Sequence, residues 1–135
     1  MEETGIELKD YFVILNLHKA LLEAKFHLNP DNINVSSSPI IADICNKLVD
    51  VLKKMDEEKS EKNIGKWDEW RLLKNQSFYR DRAIINAKLN NRWNKMNNEE
   101  KEKTVKNLIS PFIATEEELK SFIQQVDGCH SIYDV

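Results

Sequence analysis

One segment of the chain, residues 66–95, concentrates the side chains that most often anchor binding interfaces. It holds every tryptophan and every arginine of the protein, namely Trp67, Trp70, Trp93, Arg71, Arg80, Arg82 and Arg92. Trp and Arg are enriched among the residues that dominate binding energy, because each combines a large contact area with a polar group. The composition of this segment therefore predicts recognition of another macromolecule.

Trp67 and Trp70 are three residues apart and so share one side of a short helix. Two rings at this spacing typically pin such a helix to the core. Alternatively, they form an exposed aromatic patch beside Arg71, suited to a protein partner or to stacking on a nucleobase. The sequence leaves both interpretations open, and Trp67, Trp70 and Arg71 are candidate partner-binding residues.

Arg82 interrupts an otherwise apolar arc of a predicted helix. On a wheel of about 100° per residue, one arc of roughly 60° contains Phe78, Ile85, Leu89, Trp93 and Met96. The stem of Arg82 can cover the core while its head reaches water, or the guanidinium can pair with a buried carboxylate. As a third alternative, Arg82 forms an exposed binding face with Phe78 and Trp93, and it is a further candidate partner-binding residue.

The charge of this segment differs from that of the whole chain. Residues 66–95 hold eight basic and three acidic residues, a net charge of +5, whereas the chain carries −3. The segment either complements its acidic flanks within the fold or contacts phosphates. Its basic residues spread around the predicted helix instead of following one face, which favours the first interpretation.

Acidic residues outside this segment offer a different binding surface. Glu99 and Glu100 precede one apolar run, and Glu116 and Glu117 precede another. Together they are candidates for an anionic face that complements a basic partner such as a nuclease.

The sequence contains no motif for catalysis, a metal or a cofactor. It has no glycine-rich phosphate loop and no nucleophile elbow. Its three histidines and two cysteines do not fall at the spacing of metal ligands. Cys45 and Cys129 are far apart, and we interpret them as reduced thiols of a cytosolic protein. The sequence thus predicts no cofactor, no metal and no enzymatic activity.

Length and composition predict one helical domain. The 135 residues include 41% hydrophobic and 32% charged residues, a balance typical of a globular domain, with only three glycines and three prolines. So few turn residues argue against a β-fold. The acidic N-terminus does not resemble a signal peptide, and the longest apolar run is too short to span a bilayer, which predicts a cytoplasmic location.

The fold expected is all-α, a single-domain bundle of five to six helices over residues 1–135, with a tail at 129–135. Capping boxes are expected at Thr4–Glu7 and Thr115–Glu118, and other caps at Ser38 before Pro39, at Ser77 and at Asn97 or Asn98. The helices that follow from these caps and from the apolar periodicity are expected near 7–27, 39–62 with a frayed end, 67–75, 77–96, 99–109 and 116–127. Residues 29–38 are expected to form a loop, and Gly128 is expected to end the last helix.

These features predict a cytoplasmic protein-binding module, in particular an inhibitor or immunity protein that occludes a partner such as a toxin. A nucleic-acid-binding regulator that uses Lys66–Lys95 is the alternative, and an enzyme without a recognisable motif is the third class. Homo-oligomerisation is expected if the Trp helix leaves its rings exposed.

Overall fold

The computed structural model of the protein describes residues 5–28 and 33–133, with side chains throughout except at 33–34 and 129–133. Across these residues the chain forms seven α-helices: α1 (Tyr11–Lys25), α2 (Ile33–Ser37), α3 (Pro39–Lys59), α4 (Lys66–Trp70), α5 (Ser77–Lys88), α6 (Asn98–Ile109) and α7 (Glu116–Tyr133). Short 3₁₀ turns lie between them at Glu61–Asn63, Leu73–Asn75 and Trp93–Lys95. The all-α class is confirmed, and the predicted count of five to six helices is too low.

The additional helix is α2, which lies within the predicted loop at residues 29–38. Asn and Ser compete locally with helical hydrogen bonds, so the sequence pattern there favours a loop. The short α2 packs against α1, α3 and α6 instead, and Ser36 is buried. Tertiary packing outweighs the weak local preference.

The predicted N-caps are confirmed at three helices. The cap hydroxyl of Ser38 accepts from the Ile41 amide, and Pro39 occupies the first turn of α3. Capping boxes join Asn97 to Glu100 and Thr115 to Glu118. Each side-chain oxygen satisfies an amide that has no partner inside its helix, which fixes where α3, α6 and α7 begin.

Helix α1 begins later than predicted. The Asp10 carboxylate accepts hydrogen bonds from the Phe12 and Val13 amides at 2.9 and 3.2 Å, so the first turn starts at Tyr11. Thr4, the predicted cap, lies outside the described residues.

Helix α1 lies between two hydrophobic clusters. Its C-terminal half contributes Leu22 and Phe26 to the larger cluster, which is built with α5, α6 and α7. Its N-terminal half contributes Ile14 to a smaller cluster with Leu48 and Leu52 of α3. The N-terminal and C-terminal halves of α1 thus contact different hydrophobic clusters.

Four predicted boundaries are wrong. Helix α3 runs to Lys59, so most of the charge run expected to fray is helical. The helix expected over 67–75 ends at Trp70, and the one expected over 77–96 ends at Lys88. Helix α7 passes through Gly128 to Tyr133 and includes much of the predicted tail.

A buried lysine joins α1 to the end of α6. Lys25 is fully buried, and its Nζ donates to the carbonyls of Asn107 and Leu108 at 2.5 and 2.6 Å. Asn107 lies four residues before Pro111, which has no amide to donate, and the Phe112 amide bonds the Ile109 carbonyl instead. The last-turn carbonyls of α6 therefore lack backbone partners, and the ammonium supplies the missing donors.

Candidate functional site

Helix α5 turns its large apolar side chains towards solvent. Phe78, Ile85 and Leu89 are 58%, 40% and 45% exposed. They follow one another at i, i+7 and i+11 and so lie along one face of α5 and its C-terminal cap, over a length of about 17 Å. We call this surface, together with Arg82 at i+4, the α5 face.

Small side chains on the opposite arc explain this orientation. Ala83 and Ala87 are buried against the core, together with Ile84. Alanine lets the backbone of α5 approach its neighbours α6 and α7 closely, which a Phe or Leu at the same position prevents. The apolar arc identified in the sequence is therefore divided: Phe78, Ile85 and Leu89 lie at the surface, whereas Trp93, beyond the end of α5, is buried in the core.

Arg82 lies on the α5 face and is held in place from two sides. Its guanidinium carbon lies 4.4 Å from the centre of the Phe78 ring, and its Nη1 donates to the Phe26 carbonyl at 3.3 Å. Among the described residues it forms no ion pair with a carboxylate. The guanidinium of Arg82 therefore lies near the surface, over the Phe78 ring.

The surroundings of the α5 face are basic. Residues 77–95 contain five basic residues and one acidic residue, a net charge of +4. Asp81 is paired with Arg80 at 3.6 Å, while Arg92 and Lys95 are exposed. The face is thus an apolar stripe with a mostly cationic border.

Two hollows flank the α5 face. One, of about 380 Å³, lies towards α1 and is lined by Lys19, Glu23, Phe26 and Phe78 among others. The second, of about 430 Å³, lies towards α6 and is lined by polar side chains with Leu89 and Met96. These hollows give the surface a shape that a partner can complement, which the surface of a smooth helix does not offer.

Trp93 does not belong to the exposed face proposed from the sequence. It is fully buried, and its indole Nε1 donates to Asp127 at 2.7 Å. Lys101 pairs with the same carboxylate oxygen at 3.0 Å and lies 5.3 Å from the ring centre. Trp93 therefore anchors the 3₁₀ turn after α5 to α7.

Trp67 and Trp70 are half-buried and stack around a histidine. The Trp67 and Trp70 rings meet edge-on at 5.1 Å, and His18 meets them at 5.5 and 5.3 Å. The Trp67 indole donates to Asp56 at 2.6 Å, and Trp70 continues the cluster to Phe112 at 4.9 Å. The rings therefore pin α4 to the bundle while staying partly exposed, and their role in partner binding stays a prediction.

An open groove of about 510 Å³ lies beside these rings. Its lining combines apolar and aromatic side chains with a few polar ones, namely Leu15, His18, Lys19, Leu22, Asp56, Asn63, Lys66, Trp67, Trp70 and Tyr79. We call this cavity the aromatic groove. Its volume and its mixture of apolar walls with few polar groups are typical of small-molecule sites.

His18 is nearly enclosed in the aromatic groove, with 5% of its surface exposed. Burial, and secondarily the charge of Lys19, lowers the pKa of His18 to about 4. The imidazole is therefore neutral at physiological pH. Within the described part of the chain it forms no hydrogen bond, and its contacts are the two indole rings.

The depressed pKa of His18 predicts a loss of stability in acid. The unfolded chain protonates His18 near its ordinary pKa of 6.5, whereas the folded chain does so only near 4. Between pH 6.5 and 4.5 the unfolded state thus binds more protons, and the free energy of unfolding falls by about 2 kcal/mol.

Urea unfolding at several pH values measures this fall. We expect His18→Gln to reduce the pH dependence of the free energy of unfolding. Equal curves for wild type and His18→Gln would count against a buried neutral imidazole.

Arg71 joins three parts of the fold. Its Nε donates to the Pro111 carbonyl at 2.7 Å, Nη1 to Asp50 at 2.8 Å and Nη2 to Asn46 at 2.9 Å. The adjacent backbone pairs with Ile113 through bonds of 2.8 and 2.9 Å. The role of Arg71 in partner binding stays a prediction. Its Nε, Nη1 and Nη2 already donate to acceptors within the fold.

Replacing Arg71 with lysine tests this internal role. A single ammonium cannot reach all three acceptors, two on α3 and one at Pro111, so we expect Arg71→Lys to lower the free energy of unfolding by about 2 kcal/mol. Arg92→Lys, at an exposed arginine, is the matched control and should change it by less than about 0.5 kcal/mol. Equal effects of the two substitutions in urea unfolding would contradict the assignment.

The four candidate glutamates do not come together. All are exposed, but Glu99 and Glu100 lie at the start of α6 and Glu116 and Glu117 at the start of α7. The bond between Lys101 and Asp127 shows that α6 and α7 run antiparallel, so the two pairs are about 15 Å apart along the hairpin. The two pairs form two separate acidic patches and not one anionic face. Their role in partner binding stays a prediction.

Cys45 is a buried free thiol, while the side chain of Cys129 lies outside the described part of the structure.

Within residues 5–28 and 33–133, none of the helices combines the length and apolar character that crossing a membrane requires.

Comparisons with known proteins give no relative: no family model matches the chain, and no curated protein or solved structure is significantly similar to it.

The structure adds residues that the sequence reasoning missed. The sequence places Ile85 and Leu89 on an apolar arc without assigning them to a binding face, and it does not connect His18, Asp56 and Tyr79 with the Trp pair. The alanines at 83 and 87 are the available signal for the exposure of Ile85 and Leu89, since small residues at i and i+4 mark close helix contacts. No local pattern marks the groove, because its lining comes from four separate segments.

Proposed function

We propose that this chain is a protein-binding module that docks its partner on the α5 face. The observation that supports the proposal is the exposure of Phe78, Ile85 and Leu89 along one helix face, beside a stacked arginine. Aromatic and aliphatic anchors grouped with an arginine make up the energetic centre of many protein interfaces. An exposed stripe of this kind, bordered by polar residues, marks an interaction surface.

The charge of the α5 face indicates the charge that a partner surface should carry. Arg82 lies within the stripe, and exposed Arg92 and Lys95 lie beyond its C-terminal end. An apolar partner surface with an acidic rim complements this pattern, because opposite potentials speed association and disfavour wrong partners. We therefore propose an acidic protein as the partner.

Within this class we propose the role of an inhibitor or immunity protein, which acts by covering a functional surface of its partner. Such a role requires shape and charge on a firm support. The buried arc of α5, packed on α6 and α7, supports the exposed arc in this way. Occlusion involves no chemical step by the chain itself.

Site-specific photo-crosslinking in cells that make the protein tests the docking surface. A photoreactive amino acid replaces Ile85 in one variant and Ile40 in the other, which is 72% exposed on α3. We expect a single heteromeric adduct from position 85 and none from position 40. The adduct should decrease with salt if an acidic partner binds the basic border.

Other outcomes have definite meanings. An adduct of twice the chain's mass identifies a second copy as the occupant, and an adduct with nucleic acid supports the regulator hypothesis; either result contradicts the proposed heteromeric partner. The same holds for equal adducts from both positions or none from position 85. The inhibitor role fails if a saturating amount of this chain leaves the activity of the purified partner unchanged.

A further inference from the structure

The aromatic groove has the walls of a ring-binding site, and it shares Lys19, Leu22 and Tyr79 with the hollow beside the α5 face. The Trp67 and Trp70 rings stand at 77° to each other and are joined by Tyr79, Leu15 and Leu22. Flat apolar walls at such angles hold a planar ring by stacking on one wall and edge contact with the other. The volume of about 510 Å³ accommodates a ligand of two fused or linked rings.

The groove also offers a polar contact that the protein leaves unused. His18 is 95% enclosed, lines the groove and forms no hydrogen bond within the described residues. A neutral imidazole has one N–H donor and one acceptor, and buried polar groups of this kind are nearly always paired. A ligand in the groove can supply the partner.

The charges around the groove favour an anion. Asp56 is the acidic residue of its lining, and its Oδ2 already accepts from the Trp67 indole at 2.6 Å and the Tyr11 hydroxyl at 3.3 Å. Lys19 and Lys66 are exposed and also line the groove. Lys66 also donates to the Asn63 amide oxygen at 3.5 Å, which is neutral, so two ammonium charges face one engaged carboxylate and the mouth of the groove is positive.

From this arrangement we infer that the aromatic groove binds a planar aromatic acid, with its rings against the walls formed by Trp67 and Trp70, its acid group towards Lys19 and Lys66, and its polar edge at His18. This site is additional to the proposed protein-docking function and does not depend on it.

Dye titration followed by NMR tests the inference. The probe is 1-anilinonaphthalene-8-sulfonate, and N-phenyl-1-naphthylamine is its neutral counterpart without the sulfonate. We expect one sulfonated dye per chain, bound at least fivefold more tightly than the neutral dye at low salt. The indole N–H signals of Trp67 and Trp70 should shift, while that of Trp93, buried and bonded to Asp127, should not.

Two variants locate the bound dye. Lys19→Glu combined with Lys66→Glu should weaken the sulfonated dye at least tenfold and the neutral dye less than twofold, whereas Lys120→Glu on α7 should change neither. A Phe78→Ser variant of the α5 face should retain the indole shifts. Equal affinities for the two dyes, shifts lost with Phe78→Ser, or no indole shift at millimolar dye would each overturn the inference.

Discussion

Replacing Lys25 with alanine is expected to lower the free energy of unfolding by about 3 to 5 kcal/mol. The substitution removes three buried methylenes, at about 0.8 kcal/mol each, and leaves two buried carbonyls of α6 without a donor. Pro111 cannot replace that donor. Urea unfolding followed by circular dichroism measures the difference, and Lys19→Ala, at an exposed lysine of the same helix, is the control with an expected change below about 0.5 kcal/mol.

The same variant should also change the pH dependence of stability. Burial lowers the pKa of Lys25 to about 7, from 10.5 in the unfolded chain, although the nearby Cys45 opposes the shift. The unfolded state therefore binds more protons above pH 7, and wild-type stability rises by about 2 kcal/mol between pH 7 and 9. Above pH 9 the buried Cys45, with its raised pKa, acts in the opposite direction.

The pH effect separates an ionising lysine from a merely space-filling one. Lys25→Ala should lack most of the rise between pH 7 and 9, because it carries no group that titrates there. A variant as stable as wild type, or one with the same rise, would show that Lys25 is not the buried donor at the end of α6.

Replacing Ala87 with glutamate is expected to lower the free energy of unfolding by more than about 4 kcal/mol, or to prevent folding. Ala87 is fully buried where α5 packs on the core. The substitution adds a carboxylate and one methylene to filled space, without a partner for the charge. Chemical denaturation, or the loss of dispersed NMR signals, measures the result.

The control introduces a glutamate two residues earlier in the same helix. Ile85→Glu adds the same charge to the same helix, but on its exposed arc, and should change the free energy of unfolding by less than about 1 kcal/mol. Equal effects at positions 85 and 87, or a larger effect at 85, would contradict the orientation of α5.

Much of the fold is predictable because it depends on local chemistry. Ser38–Pro39, Asn97–Glu100 and Thr115–Glu118 mark helix starts through side chains that bond nearby amides. The unpredicted parts depend on distant contacts. The short α2 exists because α1, α3 and α6 surround it, and the pairing of Arg71–Leu73 with Ile113 involves residues about 40 positions apart.

The candidate site was predictable in composition but not in geometry. The wheel groups Phe78, Arg82, Ile85 and Leu89, but it does not determine whether this arc faces the core or solvent. In α5 the two alanines determine the orientation, because their small volume allows the core contact. The groove could not be predicted at all, since His18 and Asp56 approach the Trp pair only when α1 and α3 pack on α4.

The outward orientation of the α5 face is the central claim, and two adjacent residues test it directly. Ile84 is 5% exposed and Ile85 is 40% exposed, so their methyl groups lie on opposite sides of one helix. NMR of isotope-labelled isoleucine methyls in the presence of a soluble gadolinium chelate measures their distance from solvent. The structure predicts strong broadening of the Ile85 methyl signal and little of Ile84; the reverse pattern would return the apolar arc to the core and remove the docking surface.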